Sequence, residues 1–484
     1  MGTGEALYSI EYRYPMMSGS QIAAIHPDRL FPYAVLGAWS AAVAVAPPNV
    51  RFALTLPVCA VALVWWMLQG PSRWIGVFFA VLILTPPLAL PAGEGGFHLV
   101  PVFLLPGILA ALVWLPRWER RLTPLVAAAL MFLATLAISA GFAAIYSGFA
   151  IALGSLLRVA LFGISLFVLI WATLGPRPGS NPLPFVKFLL LTGTVAALFA
   201  CVDYYFQFPP PAGFAAQYVW LDEGVFRRAQ GLFYDASTSG NFCAFFLTLI
   251  AVSLFRPRRQ RPASILALTV AAIVFSAALI LSYSRASLIN VLAGLVTLTI
   301  LRKVRIGKAL LLTGAGTLPA IAAVRFAAPS FWANYQAHLT ASIQYFASSP
   351  NGVLSGRLTH WETIVNFLIR EPWRALFGVG FKTLASSNIT GEPIIADNTW
   401  LSLLAETGLA GLGTFLVLNF AILRSGLRAA RSANHRAGLL GEWIFCFWVG
   451  ELAQMFSGDL ITYWRVLPLY FWVLGTAARE SESG

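Results

Sequence analysis

Charge is what this sequence has least of. Only 11% of its 484 residues are Asp, Glu, Lys or Arg, while 58% are hydrophobic. Soluble domains carry roughly a quarter charged residues, so a chain of two or three water-soluble modules is excluded, and only residues 329–397 look like a soluble unit. Cysteine is also scarce. Cys59, Cys201, Cys243 and Cys446 lie inside apolar runs at unrelated spacings, so neither a disulfide framework nor a metal site is read from them, and no cofactor is expected. Internal repeats and low-complexity tracts are missing, which argues against a transporter built from repeated halves. Residues 1–30 are mixed and polar, so the expectation is no cleavable signal and a first span that itself directs insertion.

What the chain has instead is long apolar runs. A spanning helix needs about 20 mostly apolar residues. Fourteen are predicted, at 31–46, 51–68, 74–91, 98–115, 124–145, 148–174, 183–206, 238–255, 263–283, 286–301, 308–328, 398–423, 438–457 and 466–478. The reading is an all-α, polytopic membrane protein. It divides into N-terminal transmembrane helices (1–182), central helices with outer arginine segments (183–328), a large outer loop (329–397) and C-terminal helices (398–484).

The net charge of +13 does not indicate nucleic acid, because the basic residues sit in short clusters between apolar runs. Cytoplasmic connections carry excess Lys and Arg. With both termini cytoplasmic, 20 of the 32 Lys and Arg fall inside, in clusters such as 256–261, 302–308 and 424–436. Arg227, Arg228, Arg285, Arg357, Arg370, Arg374, Lys382 and Arg465 then fall on outer connections, against the topological rule. Anion binding is the natural reason for cations placed there.

Four constellations could carry chemistry. Arg227 and Arg228 precede Gly231 and a helix start at which Asp235, Ser237 or Thr238 could cap; an Arg pair beside a helix N-terminus suits phosphate, although two solvated arginines on lipid headgroups would look the same. Arg285 lies in the turn Ser282-Tyr283-Ser284-Arg285-Ala286-Ser287, where a charge near the hydrocarbon boundary needs a partner or a wet cavity, or must snorkel. Arg357, after Ser355-Gly356, opens an amphipathic helix with Leu358, Trp361, Ile364, Val365 and Leu368 apolar, expected to lie in the outer interface and to stop before Pro372. The Gly378-Val379-Gly380-Phe381 turn follows, then Asp397-Asn398-Thr399-Trp400-Leu401 with Glu406 deeper in the next helix. Asp397 is either a helix cap or a general base, and the two readings stand equal. Glu406 requires a polar partner inside the bilayer. His360 and His338 read as surface histidines before they read as catalytic ones. The fourth constellation is Ser457-Gly458-Asp459 with Arg465, where Asp459 and Arg465 could form a structural ion pair or serve the substrate; Tyr463 and Trp464 read as aromatic-belt anchors.

At these residues the sequence resembles the bacterial O-antigen ligase and polymerase family of membrane glycosyltransferases. The likeness runs through Arg228-Ala229-Gln230-Gly231-Leu232-Phe233, Ser284-Arg285-Ala286, Gly356-Arg357 with Trp361, Pro372, the Gly378–Phe381 turn, and Asp397–Leu401 with Glu406-Thr407-Gly408-Leu409 and Gly411. It covers about 220–475. It implies a C-type glycosyltransferase-like fold and metal-independent, inverting transfer of a glycan from an undecaprenyl-pyrophosphate donor on the periplasmic face of the inner membrane. Arg285, Arg357 and Asp397 are then the expected catalytic residues. Arg228, Arg227, Asn398, Glu406, His360, Asp459 and Arg465 are the expected binding residues, and the partners are membrane lipid, a flippase and a chain-length regulator. Ligases of the family carry a histidine where this chain has Asp397, which favours a repeat-unit polymerase over a lipid A core ligase. A lipid-linked glycan transporter and a non-catalytic assembly scaffold are the other classes. They are separated from an enzyme by whether Arg228, Arg285 and Arg357 converge in one pocket.

Overall fold

A computed structural model describes residues 38–42, 44–88, 98–119, 121–176, 181–209, 217–221, 224–233, 235–303, 325–326, 329–344 and 356–482. The chain divides after Trp65 into two compact units, and every site residue lies in the second, Trp66–Gly484. Its helices are α2 (Arg73–Leu84), α3 (Val100–Val113), α4 (Pro124–Ser147), α5 (Phe149–Leu174), α6 (Leu183–Phe206), α7 (Ala236–Leu254), α8 (Ile265–Leu281), α9 (Arg285–Arg302), α10 (Pro329–Gln344), α11 (Arg357–Arg370), α12 (Arg374–Phe377), α13 (Thr399–Ala430), α14 (His435–Gln454) and α15 (Leu467–Glu482). The helix α1 (Pro48–Leu68) crosses the unit boundary.

Six of these, α4, α5, α6, α7, α9 and α13, are long and apolar enough to cross a membrane; α2, α3 and α8 are shorter apolar helices. The sequence identifies helices at most of the expected positions, with two corrections. The predicted 74–91 span ends at Leu84, because Thr85 is extended ahead of Pro86 and Pro87. Proline lacks an N–H and disfavours helix in the residue before it. Twelve residues span only about 18 Å, short of the roughly 30 Å of hydrocarbon. The chain is also not purely α. Tyr218–Leu221 (β1) and Gly224–Arg227 (β2) form an antiparallel hairpin with Tyr218 opposite Arg227, inside the outer segment where only a loop and a helix start are expected. The 308–328 span, apart from 325–326, and His338's side chain lie outside the described residues.

Local chemistry sets the helix starts. Asp235 Oδ1 accepts from Thr238 N at 2.8 Å to cap α7, and Asn398 Oδ1 accepts from Leu401 N at 3.0 Å to cap α13. Ser264 caps α8 in the same way. Packing then follows the apolar faces: α9 lies along α14 and α7, α13 along α14 and α4, and α15 along α5 and α14. Leu191, Ile138 and Phe149 are large, apolar and more than 60% exposed, as a lipid-facing surface requires.

The helix α13 is broken at Gly408, whose φ of 69° and ψ of −169° are not helical. A break inside a spanning segment leaves carbonyls that water cannot reach. The 378–380 turn supplies their donors. Val379 N donates to Ala405 O at 3.1 Å and Gly380 N to Glu406 O at 2.9 Å, and Ser139 Oγ adds a 2.9 Å bond to the same Glu406 carbonyl. Backbones this close need glycine. A Cβ on Gly378 would collide with the Glu406 carbonyl and one on Gly408 with that of Leu376, and both residues hold positive φ.

Topology is open to a direct test. With the N-terminus inside, cysteine labelling should place residue 350 outside and residues 256–262 and 424–437 inside; labelling of residue 350 from the cytoplasmic side would overturn the charge-based orientation.

Candidate functional site

Three arginines come together at one end of the bundle. Arg228 leaves the hairpin with its amide on Gln217 O at 2.8 Å and its Nε on Ser282 O at 2.7 Å, so it is tied to the α8–α9 turn. Arg285 follows that turn, in which Tyr283 adopts a left-handed φ of 51°, and is the first residue of α9. Arg357 is the first residue of α11, after Gly356 at φ 80°. Burial pushes Arg228 below the usual arginine range. The carboxylate of Asp235 opposes this, while the nearby positive charges of Arg357 and Arg285 reinforce it. The three guanidiniums, from three separate connecting segments, therefore lie within electrostatic reach of one another.

Their setting favours an anion. Neither α9 nor α11 has a side-chain cap at its N-terminus, and each begins with arginine. The positive end of a helix dipole makes a cation there unfavourable and an anion favourable. Guanidinium forks offer the paired donors that phosphate oxygens accept, and the helix starts add the favourable end of a dipole.

Asp397 stands beside this cluster. Arg357 Nε donates to Asp397 Oδ2 at 3.0 Å and Arg357 Nη1 to Ser457 Oγ at 2.9 Å. The Asp397 side chain is 42% exposed, and its backbone is left-handed at φ 44°. It does not cap α13; Asn398 does. Position 397 is held by α11, because Trp361 Nε1 donates to Ala396 O at 2.7 Å and the His360 ring bonds Ile395 O at 3.1 Å. The apolar face of α11 packs Ile364, Phe367 and Leu368 against Val379, Leu384, Ile394 and Ala405. This helix therefore buries its stripe in protein rather than in the outer interface as expected, and Val365 is the apolar member left exposed.

Other expected residues are placed elsewhere. Arg227 is buried, with Nη2 2.5 Å from Asp203 Oδ1 and 2.7 Å from Phe208 O, and so braces the hairpin against α6. Arg465 is 1% exposed and donates to the carbonyls of Leu232, Leu82 (2.7 Å) and Thr85 (2.8 Å), with its guanidinium over the Phe233 ring. The expected Asp459–Arg465 pair is replaced by Asp459–Lys382. Glu406 is buried at the α13 break; Oε2 accepts from Ser402 Oγ at 3.1 Å and Oε1 from Leu384 N at 3.3 Å. No arginine is needed there. The sequence marks Lys382 as a cation against the topological rule and Ser457 as part of the fourth constellation without giving either a role; here Lys382 pairs with Asp459 and Ser457 accepts from Arg357.

The fold and site together describe a helical membrane protein in which three arginines and the part-exposed Asp397 meet at one end of the bundle. Residues 270–416 match the O-antigen ligase family, which upholds the resemblance drawn from the motifs and supports activity of the ligase or polymerase type on lipid-linked glycans. The matched stretch holds Arg285, Arg357, His360, Asp397, Asn398 and Glu406, while Arg227, Arg228, Asp459 and Arg465 lie outside it. No curated protein matches the chain.

Proposed function

We propose that the protein is a polysaccharide repeat-unit polymerase of the bacterial inner membrane, working on its periplasmic side without a metal. It transfers a glycan from an undecaprenyl-pyrophosphate donor to an acceptor sugar. The observation that carries this is the grouping of Arg228, Arg285 and Arg357, two of them the first residues of helices, beside Asp397. In the reaction the bond from the anomeric carbon to the pyrophosphate oxygen breaks, and the acceptor hydroxyl oxygen bonds to that carbon from the opposite face. The hydroxyl proton passes to Asp397 and the anomeric centre inverts. Negative charge develops on the departing lipid pyrophosphate, where preoriented guanidiniums act without reorganising. Arginine suits this role because its planar fork matches two phosphate oxygens at once. A flippase and a chain-length regulator are the expected neighbours.

A second reading, transfer to a distinct acceptor such as lipid A core, is favoured by the description of the matching family as a ligase. The residue before Asn398 speaks against it, since Asp397 stands where ligases carry histidine. Purified protein supplied with a lipid-linked repeat unit, its products sized on a gel, separates the two. A ladder is expected; transfer only to an added second acceptor would establish the ligase instead.

A further inference from the structure

About one and a half turns below the arginines, four helices are joined by a buried polar knot. Glu451 of α14 is fully buried, and its Oε2 accepts from Asn241 Nδ2 of α7 at 2.5 Å and Asn290 Nδ2 of α9 at 2.7 Å. The same two amides donate to Gln454 Oε1 at 3.0 and 3.1 Å. Gln454 Nε2 donates to Ser287 Oγ at 3.3 Å, which lies 2.8 Å from Ser284 Oγ. The Tyr470 hydroxyl of α15 donates to Asn241 Oδ1.

Hydrogen-bond accounting gives the protonation state. No ion pair among the described residues includes Glu451. The titratable groups that face it are the phenols of Tyr463 and Tyr470. An uncompensated carboxylate at this depth is costly. Glu451 Oε1 and Asn290 Oδ1 are both buried and both lack a partner. Both are acceptors if the carboxyl is ionised. A proton on Oε1 turns one orphan acceptor into a donor, so that one acceptor fewer is left buried without a partner.

We propose that Glu451 is kept as a neutral carboxylic acid and is a positioning residue for the arginine site. At 1.5 Å per residue, Asn241 lies about 9 Å along α7 from Asp235 and Asn290 about 7.5 Å along α9 from Arg285, while Glu451 sits in the last turn of α14, six residues before Ser457. The knot thus sets the spacing of the chain ends that carry Arg228, Arg285 and the serine that holds Arg357. The positioning role rests on the reading of these arginines as the pyrophosphate site; the protonation state does not.

Three variants and two readouts test this in purified protein. Glu451→Gln keeps an acceptor for the two asparagines and, like the neutral acid, adds a donor without a charge, so transfer per folded molecule should stay within about threefold of wild type, with its pH profile unchanged. Glu451→Ala and Asn290→Leu should each lower it about tenfold or more, because small misplacements of reacting groups are amplified in rate. Wild type minus Glu451→Gln infrared spectra at neutral pH should show the carbonyl stretch of a protonated carboxylic acid. Absence of that band, or a Glu451→Gln defect as deep as that of Glu451→Ala, would overturn the neutral acid. Full activity per folded molecule in Glu451→Ala would overturn positioning. If wild type itself transfers no glycan while the band is present, the function fails and the protonation state stands.

Discussion

Arg357→Lys is expected to lower glycan transfer by about a hundredfold or more, the usual cost of removing a donor aimed at a developing oxyanion, with membrane insertion and melting temperature close to wild type. Arg357 uses two nitrogens in two directions, Nε toward Asp397 and Nη1 toward Ser457. A lysine ammonium is one point on a flexible stem and cannot hold both while facing a phosphate. Arg285→Lys should behave alike, because charge survives at the start of α9 while the fork is lost. Its folding should be unharmed, since a lysine at that helix start is no worse placed in the dipole than the arginine it replaces. Turnover measured per folded molecule decides the matter. Lysine variants within a few-fold of wild type would mean that charge alone suffices, and the bidentate argument would fall.

Asp397→Asn should abolish polymer formation while leaving the fold intact. Asparagine is among the side chains that tolerate the left-handed backbone of position 397, and its carbonyl oxygen can still accept from Arg357 Nε. The α13 cap is untouched because Asn398 supplies it. The pair to Arg357 is part-exposed, where such pairs are worth roughly 0–1 kcal/mol, so stability loss should be slight. What asparagine cannot do is take a proton. A normal ladder from Asp397→Asn would remove the base assignment and turn attention to His360, three residues after Arg357 on α11.

Much of this was legible in the sequence because membrane folding imposes coarse rules. Apolar run length fixed where α4, α5, α6, α9 and α13 lie to within a few residues at most ends, and charge placement singled out Arg228, Arg285 and Arg357 before any coordinates. The failures share a cause. Arg227 and Arg465 carry the same charge on connections expected to lie outside, but their partners, Asp203 and the carbonyls of Leu82, Thr85 and Leu232, are distant in sequence. Position relative to the bilayer does not say whether a guanidinium faces a cavity or laces loops together. Asp397 was mistaken for a possible cap because Asp and Asn are both good caps and adjacent; only the backbone angle chooses between them. The hairpin was missed because four-residue strands without clear alternation give almost no periodic signal.

The junction between the 378–380 turn and the break in α13 bears on how the site can change. The turn acts as a splint: two amides from a connecting loop complete the hydrogen bonding of an apolar helix long enough to span a membrane. A segment joined in that way has no hinge of its own. Residues 378–380 shift only as far as α13 shifts, and Asp397 at the head of α13 shifts with both. Substitutions in this stretch of loop are therefore substitutions in the membrane bundle, and adjustment of the site to a different sugar falls to segments that make no such bond, among them the exposed residues between Leu384 and Ile394.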